Sequence, residues 1–349
     1  MSTQTPPGVS FVVPVRNGAQ TLRATLASIA AQNDGVRPRE IIIVEDGSED
    51  GSRVILDGLA NVGTIRILDG PRRGAAAAVN CGVRAARYPI VAQVDQDVAL
   101  EPEWLERVLE PFADPRVGAV QGRYVAAGTG SLFSRVMALD LEQRYAHLSD
   151  TVDHVCTGNS AYRVSALEAV GLLNEDLGYG YDNDLSYRLG AAGYRLIFRR
   201  DARSRHSWRD GVVGYLTQQY GFGYGRLDVV AAHPTRIAGD AVSPAWMMAQ
   251  PVITAVALIC FVAALITPDL RRPLLVAGLV LAGAIAVERL VAGIDAWRRF
   301  KDPAALAFPA VHALRNTAWV AAMCVWGWRR LVGRPLNPAA SMKPRPVIE

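Results

Sequence analysis

Up to about residue 125, short apolar runs alternate with segments whose apolar residues recur at helical spacing. The runs Val9–Val15, Glu40–Val44 and Tyr88–Val94 have the length of buried strands and end at acidic or turn-forming residues. The intervening segments, such as Ala19–Gln32, suit amphipathic helices. Strands that alternate with helices predict βαβ units, and therefore an α/β fold with a mostly parallel sheet covered by helices on both faces.

From Ser131 the alternation becomes less regular. Residues 131–148 predict an amphipathic helix, and residues 156–171 a turn that leads into a helix. Residues 181–199 predict a helix with an acidic start followed by a strand. Residues 212–230 are so rich in glycine and aromatic residues that we predict an irregular segment along a membrane surface.

The last third of the chain is much more apolar. Ala241–Pro268 contains no charged residue, and the segments Pro251–Thr267 and Pro273–Val287 are each close to the length that spans a membrane. A third segment, Ala304–Trp328, carries polar residues and either spans beside its neighbours or lies at the interface. Those polar residues are His312, Arg315 and Asn316. We therefore predict two or three transmembrane helices.

Charge and cysteine content narrow the setting. The net charge of +4 sums 37 basic and 33 acidic side chains, which is too mild for a nucleic-acid-binding protein. Arginines cluster beside the apolar segments, as is typical where a chain meets lipid headgroups. The four cysteines have no metal-binding spacing, and the first residues lack the pattern of a signal peptide. We expect a multi-pass protein of the cytoplasmic (inner) membrane whose front domain stays in the cytoplasm.

Polar side chains follow three of the predicted strands. Arg16 and Asn17 come after the first strand, Glu45 and Asp46 end the second, and the pair Asp95 and Asp97 follows the strand at Tyr88–Val94. In parallel α/β sheets ligands bind beyond the carboxyl ends of the strands, so these residues are expected at one rim. A solvated turn is the alternative for the acidic pair taken alone.

The acidic pair has the chemistry of a metal site. In an extended backbone Asp95 and Asp97 would point to one side and Gln96 to the other. Mg²⁺ and Mn²⁺ prefer oxygen ligands and complete their coordination with water or phosphate. The pair would then hold a nucleotide diphosphate and offset the charge that grows on it as it leaves.

Six segments, in this order and spacing, resemble the family-2 glycosyltransferases with the GT-A fold. They are FVVPVRNGAQTLRATLASI, IIIVEDGSEDGS, GPRRGAAAAVNCGVRAA, VAQVDQDV, TGNSAYRVSAL and YDNDLSYRLGAAGYRL. The resemblance covers residues 9–226, and the tail is similar to that of members that act in bacterial exopolysaccharide and lipid-linked glycan synthesis. It implies a catalytic domain at 1–226, an interfacial linker at 227–250, a transmembrane region at 251–332 and a polar tail at 333–349.

The resemblance also implies roles for individual residues. Asp182 is the general base, Asp97 a metal ligand, and Asp95 a ligand of the metal or the ribose. His206 is a third metal ligand or a diphosphate contact, with a structural role as the alternative. The implied contacts to the nucleotide are Pro14, Arg16, Asn17, Glu45, Asp46, Gly74, Asn80 and Asp95. The implied contacts to donor or acceptor sugar are Gly158, Asn159, Ser160, Tyr181 and Asp184.

Several positions depart from the family pattern. Tyr181 stands where the family has an acid before the base, and Asp182 and Asp184 could instead only cap a helix. Val79 precedes Asn80 where members often have arginine, so the comparison with the family predicts the loss of a phosphate or sugar contact there. The chain reads QQYGF at 218–222, without the Arg and Trp of processive synthases. We therefore predict the addition of one sugar per event.

Together these features predict a metal-dependent inverting glycosyltransferase. Its donor would be a UDP- or GDP-linked sugar, its cofactor Mg²⁺ or Mn²⁺, and its acceptor a lipid-linked or other saccharide in cell-surface polysaccharide or glycolipid synthesis. The alternative is a nucleotide-sugar-binding scaffold of an export complex. A glycoside hydrolase would hold its two carboxylates further apart, and a nucleotidyltransferase would begin with a glycine- and basic-rich phosphate loop.

Overall fold

The computed structural model describes residues 8–32, 39–59, 65–126 and 128–333. These residues form two compact units. The sheet unit comprises the described residues up to Val125 together with Leu148–Ser207, and the helical unit comprises Ala126–His147 and the described residues from Trp208 onward.

The described residues contain nine β-strands and eleven α-helices. The strands are β1 (Val9–Val15), β2 (Arg39–Glu45), β3 (Ile65–Asp69), β4 (Ile90–Val94), β5 (Val98–Leu100), β6 (Val117–Tyr124), β7 (Thr151–Val152), β8 (Asn159–Arg163) and β9 (Arg195–His206). The helices are α1 (Leu22–Ala30), α2 (Ser52–Asp57), α3 (Ala75–Ala85), α4 (Trp104–Leu109), α5 (Leu132–Tyr145), α6 (Val164–Ala169), α7 (Tyr181–Ala191), α8 (Gly211–Ala232), α9 (Ala245–Ile266), α10 (Arg271–Phe300) and α11 (Phe308–Leu331).

The sheet has the strand order β3-β2-β1-β4-β8-β6-β9-β5, and β7 also pairs with β9. The α/β class is confirmed, and the first four strands are parallel as predicted. The rest of the sheet is mixed, because β8 runs antiparallel to both β4 and β6, and β5 and β7 run antiparallel to β9. The prediction of a mostly parallel sheet therefore holds for the first half only.

Strand β1 lies at the centre of the parallel half, and its residues from Val9 to Val13 are buried. Its register pairs Val15 with Glu45 at the carboxyl ends of β1 and β2. The backbone N–H of Asp46 donates to the Val15 carbonyl at 2.8 Å. The expectation that the polar residues after the strands share one rim is met at β1 and β2.

Strand β8 replaces part of a segment that we predicted as a turn leading into a helix. The strand has the sequence NSAYR, in which Asn159 and Ser160 are fully buried, and α6 begins only at Val164. A strand signal rests on apolar residues, whereas here polar side chains are buried within a central strand. The predicted helix–strand order at residues 181–199 is confirmed by α7 and β9.

In the helical unit, α8 corrects the prediction of an irregular segment at 212–230, because it is a continuous helix of 22 residues. Its position along a membrane surface stays a prediction. Its glycines permit close helix packing: a Cβ at Gly223 would lie 3.0 Å from the Cα of Trp319 in α11. Glycine lowers intrinsic helix propensity, but tertiary contacts override that preference.

Two stretches among the described residues are long and apolar enough to cross a membrane, judged by length and composition. They are Ala245–Ile266, with a mean hydropathy of 2.3, and Pro268–Phe300, with a mean hydropathy of 2.2. The third predicted segment forms α11, which does not meet that standard. Its polar residues His312, Arg315 and Asn316 are buried within the helical unit.

Candidate functional site

The rim of the sheet carries Asp46 in a fixed position. Its carboxylate accepts the backbone N–H groups of Arg72 at 2.5 Å and Gly74 at 3.1 Å. Burial raises the pKa of Asp46, and these two hydrogen bonds oppose that rise. The neighbouring Glu45 carboxylate accepts the N–H of Ser48 at 2.5 Å. Both acids therefore shape the loops at the ends of β2 and β3, and Gly74 lies at the start of α3.

The loop after β1 is tied to the loop after β2 and to the acidic pair. Asn17 has a positive φ of 54°, and its Oδ1 accepts the N–H of Glu49 at 2.7 Å. The side-chain amide of Gln96 makes two hydrogen bonds with the backbone of Arg16. Its Oε1 accepts the Arg16 N–H at 2.8 Å, and its Nε2 donates to the Arg16 carbonyl at 2.9 Å. Half-buried Pro14 precedes this loop in β1. Gln96 thus links two of the predicted clusters.

The acidic pair lies in a tight turn between β4 and β5. The N–H of Val98 donates to the carbonyl of Asp95 at 3.1 Å, so the extended backbone that we assumed for Asp95 and Asp97 is wrong. Gln93 Nε2 donates to Asp95 Oδ1 at 2.8 Å. Gly158, with φ of +87°, approaches so closely that a Cβ there would overlap Asp95 Oδ2. The turn still gathers both carboxylates at the rim.

Three carboxylates share this region. Burial raises the pKa of Asp95 to about 7, and the negative charges of Asp97 and Asp182 add to the rise. Within the described part of the chain, the ion-pair partners of Asp97 and Asp182 are histidines, and Asp95 has no arginine or lysine partner. Oxygen donors with uncompensated negative charge fit a hard divalent cation.

His206 lies beside the turn, where the sequence placed it. Its Nε2 is 3.4 Å from Asp97 Oδ1, and its ring packs edge-on against Tyr124 with ring centroids 5.4 Å apart. The antiparallel pairing of β5 with β9 sets Val98 opposite His206 and so brings the imidazole to Asp97. The pair Asp97 and His206 places one oxygen and one nitrogen donor atom side by side.

The first turn of α7 carries Tyr181 and Asp182. Asp182 Oδ1 accepts the N–H of Asn183 at 2.9 Å, and Asp182 Oδ2 is 3.7 Å from His154 Nε2. Burial raises the pKa of the Tyr181 hydroxyl, and the charges of Asp95 and Asp182 raise it further. Tyr181 therefore stays a neutral hydrogen-bond donor near two carboxylates.

Four of the predicted site side chains make contacts inside the sheet unit. Asn80 Nδ2 donates to the Leu173 carbonyl at 2.8 Å and to Glu175 Oε1 at 2.9 Å. The other three contacts are Asp184 with Arg188 at 2.7 Å, Asn159 Oδ1 with Trp104 Nε1 at 2.5 Å, and Ser160 Oγ with the Cys156 carbonyl at 2.5 Å. Their proposed contacts with nucleotide or sugar remain predictions.

Sequence reasoning missed His154 and Cys156. Together with Asp182 they bring a nitrogen, a sulfur and an oxygen atom within 4.8 Å of one another. Their spacing of two residues was the available signal, but a lone histidine and a lone cysteine predict little without the fold. Gln93 and Gln96 were missed for the same reason: their partners are distant in sequence.

Comparison with known proteins agrees with this geometry. Residues 10–171 match the family model described as Glycosyl transferase family 2. The chain is 33% identical over 250 residues to the pre-mycofactocin glycosyltransferase of Mycobacterium tuberculosis, a match that covers 69% of this chain and 51% of that protein. It is 27% identical over 231 residues to the glycosyltransferase AglE of Haloferax volcanii, covering 65% of this chain and 75% of AglE. The chain thus spans about half the length of the mycobacterial relative.

Solved structures share the fold. The mannosyltransferase PcManGT from Pyrobaculum calidifontis, in complex with GDP-Man and Mn²⁺, matches with a TM-score of 0.59 and 21% identity over 92% of this chain and 88% of that one. GalNAc-T7, solved with UDP, GalNAc and Mn²⁺, matches with a TM-score of 0.52 and 16% identity over 65% of this chain and 48% of that one. At these identities the likeness concerns the fold.

Proposed function

This chain belongs to the family-2 glycosyltransferases, and from that premise we propose that it moves one sugar from a nucleotide-diphosphate donor to a membrane-associated acceptor, with inversion at the anomeric carbon. The observation that carries the proposal is the meeting of three carboxylates, Asp95, Asp97 and Asp182, at the rim of the sheet. Two are suited to hold a cation and the third to accept a proton.

The cation site would be formed by Asp97 and His206, with Asp95 beside them. Their oxygen and nitrogen donors suit Mn²⁺ or Mg²⁺, and the fold neighbours PcManGT and GalNAc-T7 were solved with Mn²⁺. When bound, such a cation stabilises the negative charge of a departing nucleoside diphosphate. The side chains of Gln93 and Gln96 hold the acidic turn in place.

Asp182 is proposed as the general base. An acceptor hydroxyl is a weak nucleophile, and a carboxylate that takes its proton during attack permits a one-step displacement. The carboxylate lies in the first turn of α7. Neutral Tyr181, in the position of the family's missing acid, can donate a hydrogen bond to substrate.

The nucleotide is proposed to bind along the ends of β1, β2 and β3. There Arg16 and Asn17 face the loops that Glu45 and Asp46 hold in shape. The fold neighbours were solved with GDP-Man or UDP, so a GDP- or UDP-linked sugar is the donor class we propose. We propose that Asn159, Ser160 and Asp184 shape the sugar pocket. Asn159 Oδ1, Ser160 Oγ and Asp184 Oδ2 already have hydrogen-bond partners within the protein.

A membrane-associated acceptor is proposed from α9 and α10. Both expose large apolar side chains that water solvates poorly: Ile259 is 66% exposed and Leu265 76% on α9, and Leu279 and Val280 are each 64% exposed on α10. Insertion of the two helices into the cytoplasmic membrane would cover these surfaces. A lipid-linked saccharide would then meet the enzyme at the cytoplasmic face.

The proposal is tested with the full-length protein in detergent micelles. A thermal-shift screen of nucleotide sugars with Mn²⁺ identifies the donor, and donor hydrolysis then reports turnover with water as acceptor. We expect Asp182→Asn to reduce kcat by at least about 100-fold while nucleotide affinity is retained, because a lost general base costs that much. The control is Asp176→Asn, which alters an exposed carboxylate before α7.

Unchanged turnover in Asp182→Asn would remove Asp182 as the base. The scaffold alternative would be favoured by a different outcome: the unmodified protein binds nucleotide but turns over no donor, even when a saccharide acceptor extract is present. Proton NMR of the first product decides the stereochemistry, and retention at the anomeric carbon would contradict one-step displacement.

A further inference from the structure

His154, Cys156 and Asp182 form a compact group of three different donor atoms. His154 Nε2 is 3.7 Å from Asp182 Oδ2, and one ligand atom from each of the three residues lies within 4.8 Å of the others. The histidine is buried, while Cys156 and Asp182 are half-buried. The group shares no residue with the pair Asp97 and His206.

The two segments that supply this group are held together by Ser186. Its hydroxyl accepts the N–H of Val155 at 3.1 Å and donates to the carbonyl of Asp182 at 2.7 Å. The N–H of Cys156 also donates to Gln121 Oε1 at 2.7 Å. The backbone of residues 154–156 is therefore fixed against the first turn of α7, so the three side chains start from a constrained arrangement.

The donor set matches that of a zinc site. Zn²⁺ binds imidazole nitrogen, thiolate sulfur and carboxylate oxygen at about 2.0 to 2.3 Å, which places tetrahedral ligand atoms roughly 3.3 to 3.8 Å apart. The His154–Asp182 distance of 3.7 Å already meets this geometry. The three ligand atoms lie within 4.8 Å of one another, which is at most about one ångström beyond the tetrahedral range. Rotation of the side chains would close this difference.

We propose that His154, Cys156 and Asp182 bind Zn²⁺ and that this binding inhibits sugar transfer. A thiolate and an imidazole select zinc over Mg²⁺ and Mn²⁺, whereas Asp95 and Asp97 offer the oxygen donors that the harder cations prefer. The inhibitory part rests on the proposed function, because a carboxylate bound to zinc no longer accepts the proton of the acceptor. The binding part does not depend on it.

Cobalt(II) provides the test of binding. The full-length protein is freed of metal, supplied with excess Mg²⁺ and titrated with Co²⁺, whose bond to a thiolate gives a charge-transfer absorption. We expect this absorption in the wild type and in Cys81→Ser, a control that alters a half-buried cysteine of α3. We expect its loss in Cys156→Ser and in His154→Ala. Absence of the band from wild type, or its survival in Cys156→Ser, would overturn the proposal.

Zinc inhibition provides the second readout. Each variant is compared with its own zinc-free rate, and we expect the zinc concentration that halves donor turnover to rise by more than about tenfold in Cys156→Ser, since a metal ligand is lost. Equal zinc sensitivity in Cys156→Ser and Cys81→Ser would refute inhibition at this site. If the protein turned over no donor, the cobalt titration would still decide the binding, so the two proposals fail separately.

Discussion

Two acids, half-buried Asp95 in the sheet unit and buried Asp140 in the helical unit, differ in their neighbours. In the sheet unit Asp95 is surrounded by two further carboxylates, and its pKa is raised to about 7 by burial and by Asp97 and Asp182. In the helical unit burial alone would raise the pKa of Asp140, but nearby arginines hold it well below its usual range. They are Arg144, with Nη2 3.2 Å from Asp140 Oδ2, Arg289, with Nη1 3.6 Å from Asp140 Oδ1, and Arg315.

The difference separates a structural acid from one that we propose to be functional. A buried charge is stable when partners of opposite sign surround it, as they surround Asp140 on α5, α10 and α11. The carboxylates around Asp95 have no such compensation from lysine or arginine among the described residues. A partly buried anionic cluster of this kind is destabilised by the repulsion between its charges, and perturbed acids of this kind are typical of functional sites.

The largest effect on stability should follow from breaking the compensated group. Asp140→Asn removes the carboxylate that Arg144, Arg289 and Arg315 share, although Arg289 keeps an acidic neighbour in Glu288. We expect a loss of about 3 to 5 kcal/mol in the free energy of unfolding. Thermal melting in detergent measures this. Asp57→Asn, which breaks an exposed pair with Arg53, is the control and should cost less than about 1 kcal/mol. Equal melting temperatures for both variants would contradict the contrast between the two regions.

The second prediction is a gain in stability, opposite to the loss expected for Asp140→Asn. Asp95→Asn removes a half-buried charge that has no arginine or lysine partner among the described residues, so the metal-free protein should gain stability, on the order of 1 to 3 kcal/mol near pH 8, while donor turnover is lost. The pKa of Asp95 rises from the ordinary 3.8 to about 7 in the folded protein. Its ionised form therefore opposes folding fully above about pH 7, and the opposition disappears as the pH falls toward 4.

The pH dependence supplies the control for Asp95→Asn. The difference in melting temperature between the variant and the wild type should be largest at pH 8, shrink as the pH is lowered and approach zero near pH 4. Saturating Mn²⁺ should reduce the difference at pH 8, because the cation stabilises the ionised wild type. A variant that melts below the wild type throughout this range would contradict an uncompensated site.

The parallel part of the fold follows from sequence because its signals are local. Apolar runs end at Arg16, Asp46 and Asp95, and the carboxyl ends of parallel strands meet at one edge. Strand β8 could not be predicted from apolar patterning, because buried Asn159 and Ser160 find partners at Trp104 and the Cys156 carbonyl, 55 and 4 residues away.

The predictions for helix α8 and for the acidic turn were wrong for related reasons. Gly223 of α8 packs against Trp319, about a hundred residues away, and this contact is invisible to composition, which alone resembled that of an irregular segment. The turn at Asp95–Asp97 is set by Gln96, whose amide bonds the Arg16 backbone 80 residues earlier. The positions of His154 and Cys156 beside Asp182 likewise depend on Ser186 and Gln121. Tertiary partners, not local patterns, determine each of these features.

The smallest expected effect concerns two acids of helix α7. They show the same contrast between an acid that is paired with arginine and one that is not. Asp184 is compensated: both its hydrogen bonds from Arg188, at 2.7 and 2.9 Å, reach Oδ2. Asp182 lies two residues earlier in α7. Among the described residues, only His154 lies within ion-pair distance of it. Asp184→Asn should therefore lower the free energy of unfolding by about 1 to 2 kcal/mol and change kcat less than about threefold.

Melting and donor turnover measured on one preparation test this prediction. Arg188→Gln breaks the same pair from the other side, so the double variant should cost less than the sum of the two single changes. If Asp184→Asn instead reduced turnover as strongly as Asp182→Asn while leaving stability unchanged, the acid paired with arginine would be a functional one. The presence of a positive partner would then no longer distinguish the two kinds of buried carboxylate in this protein.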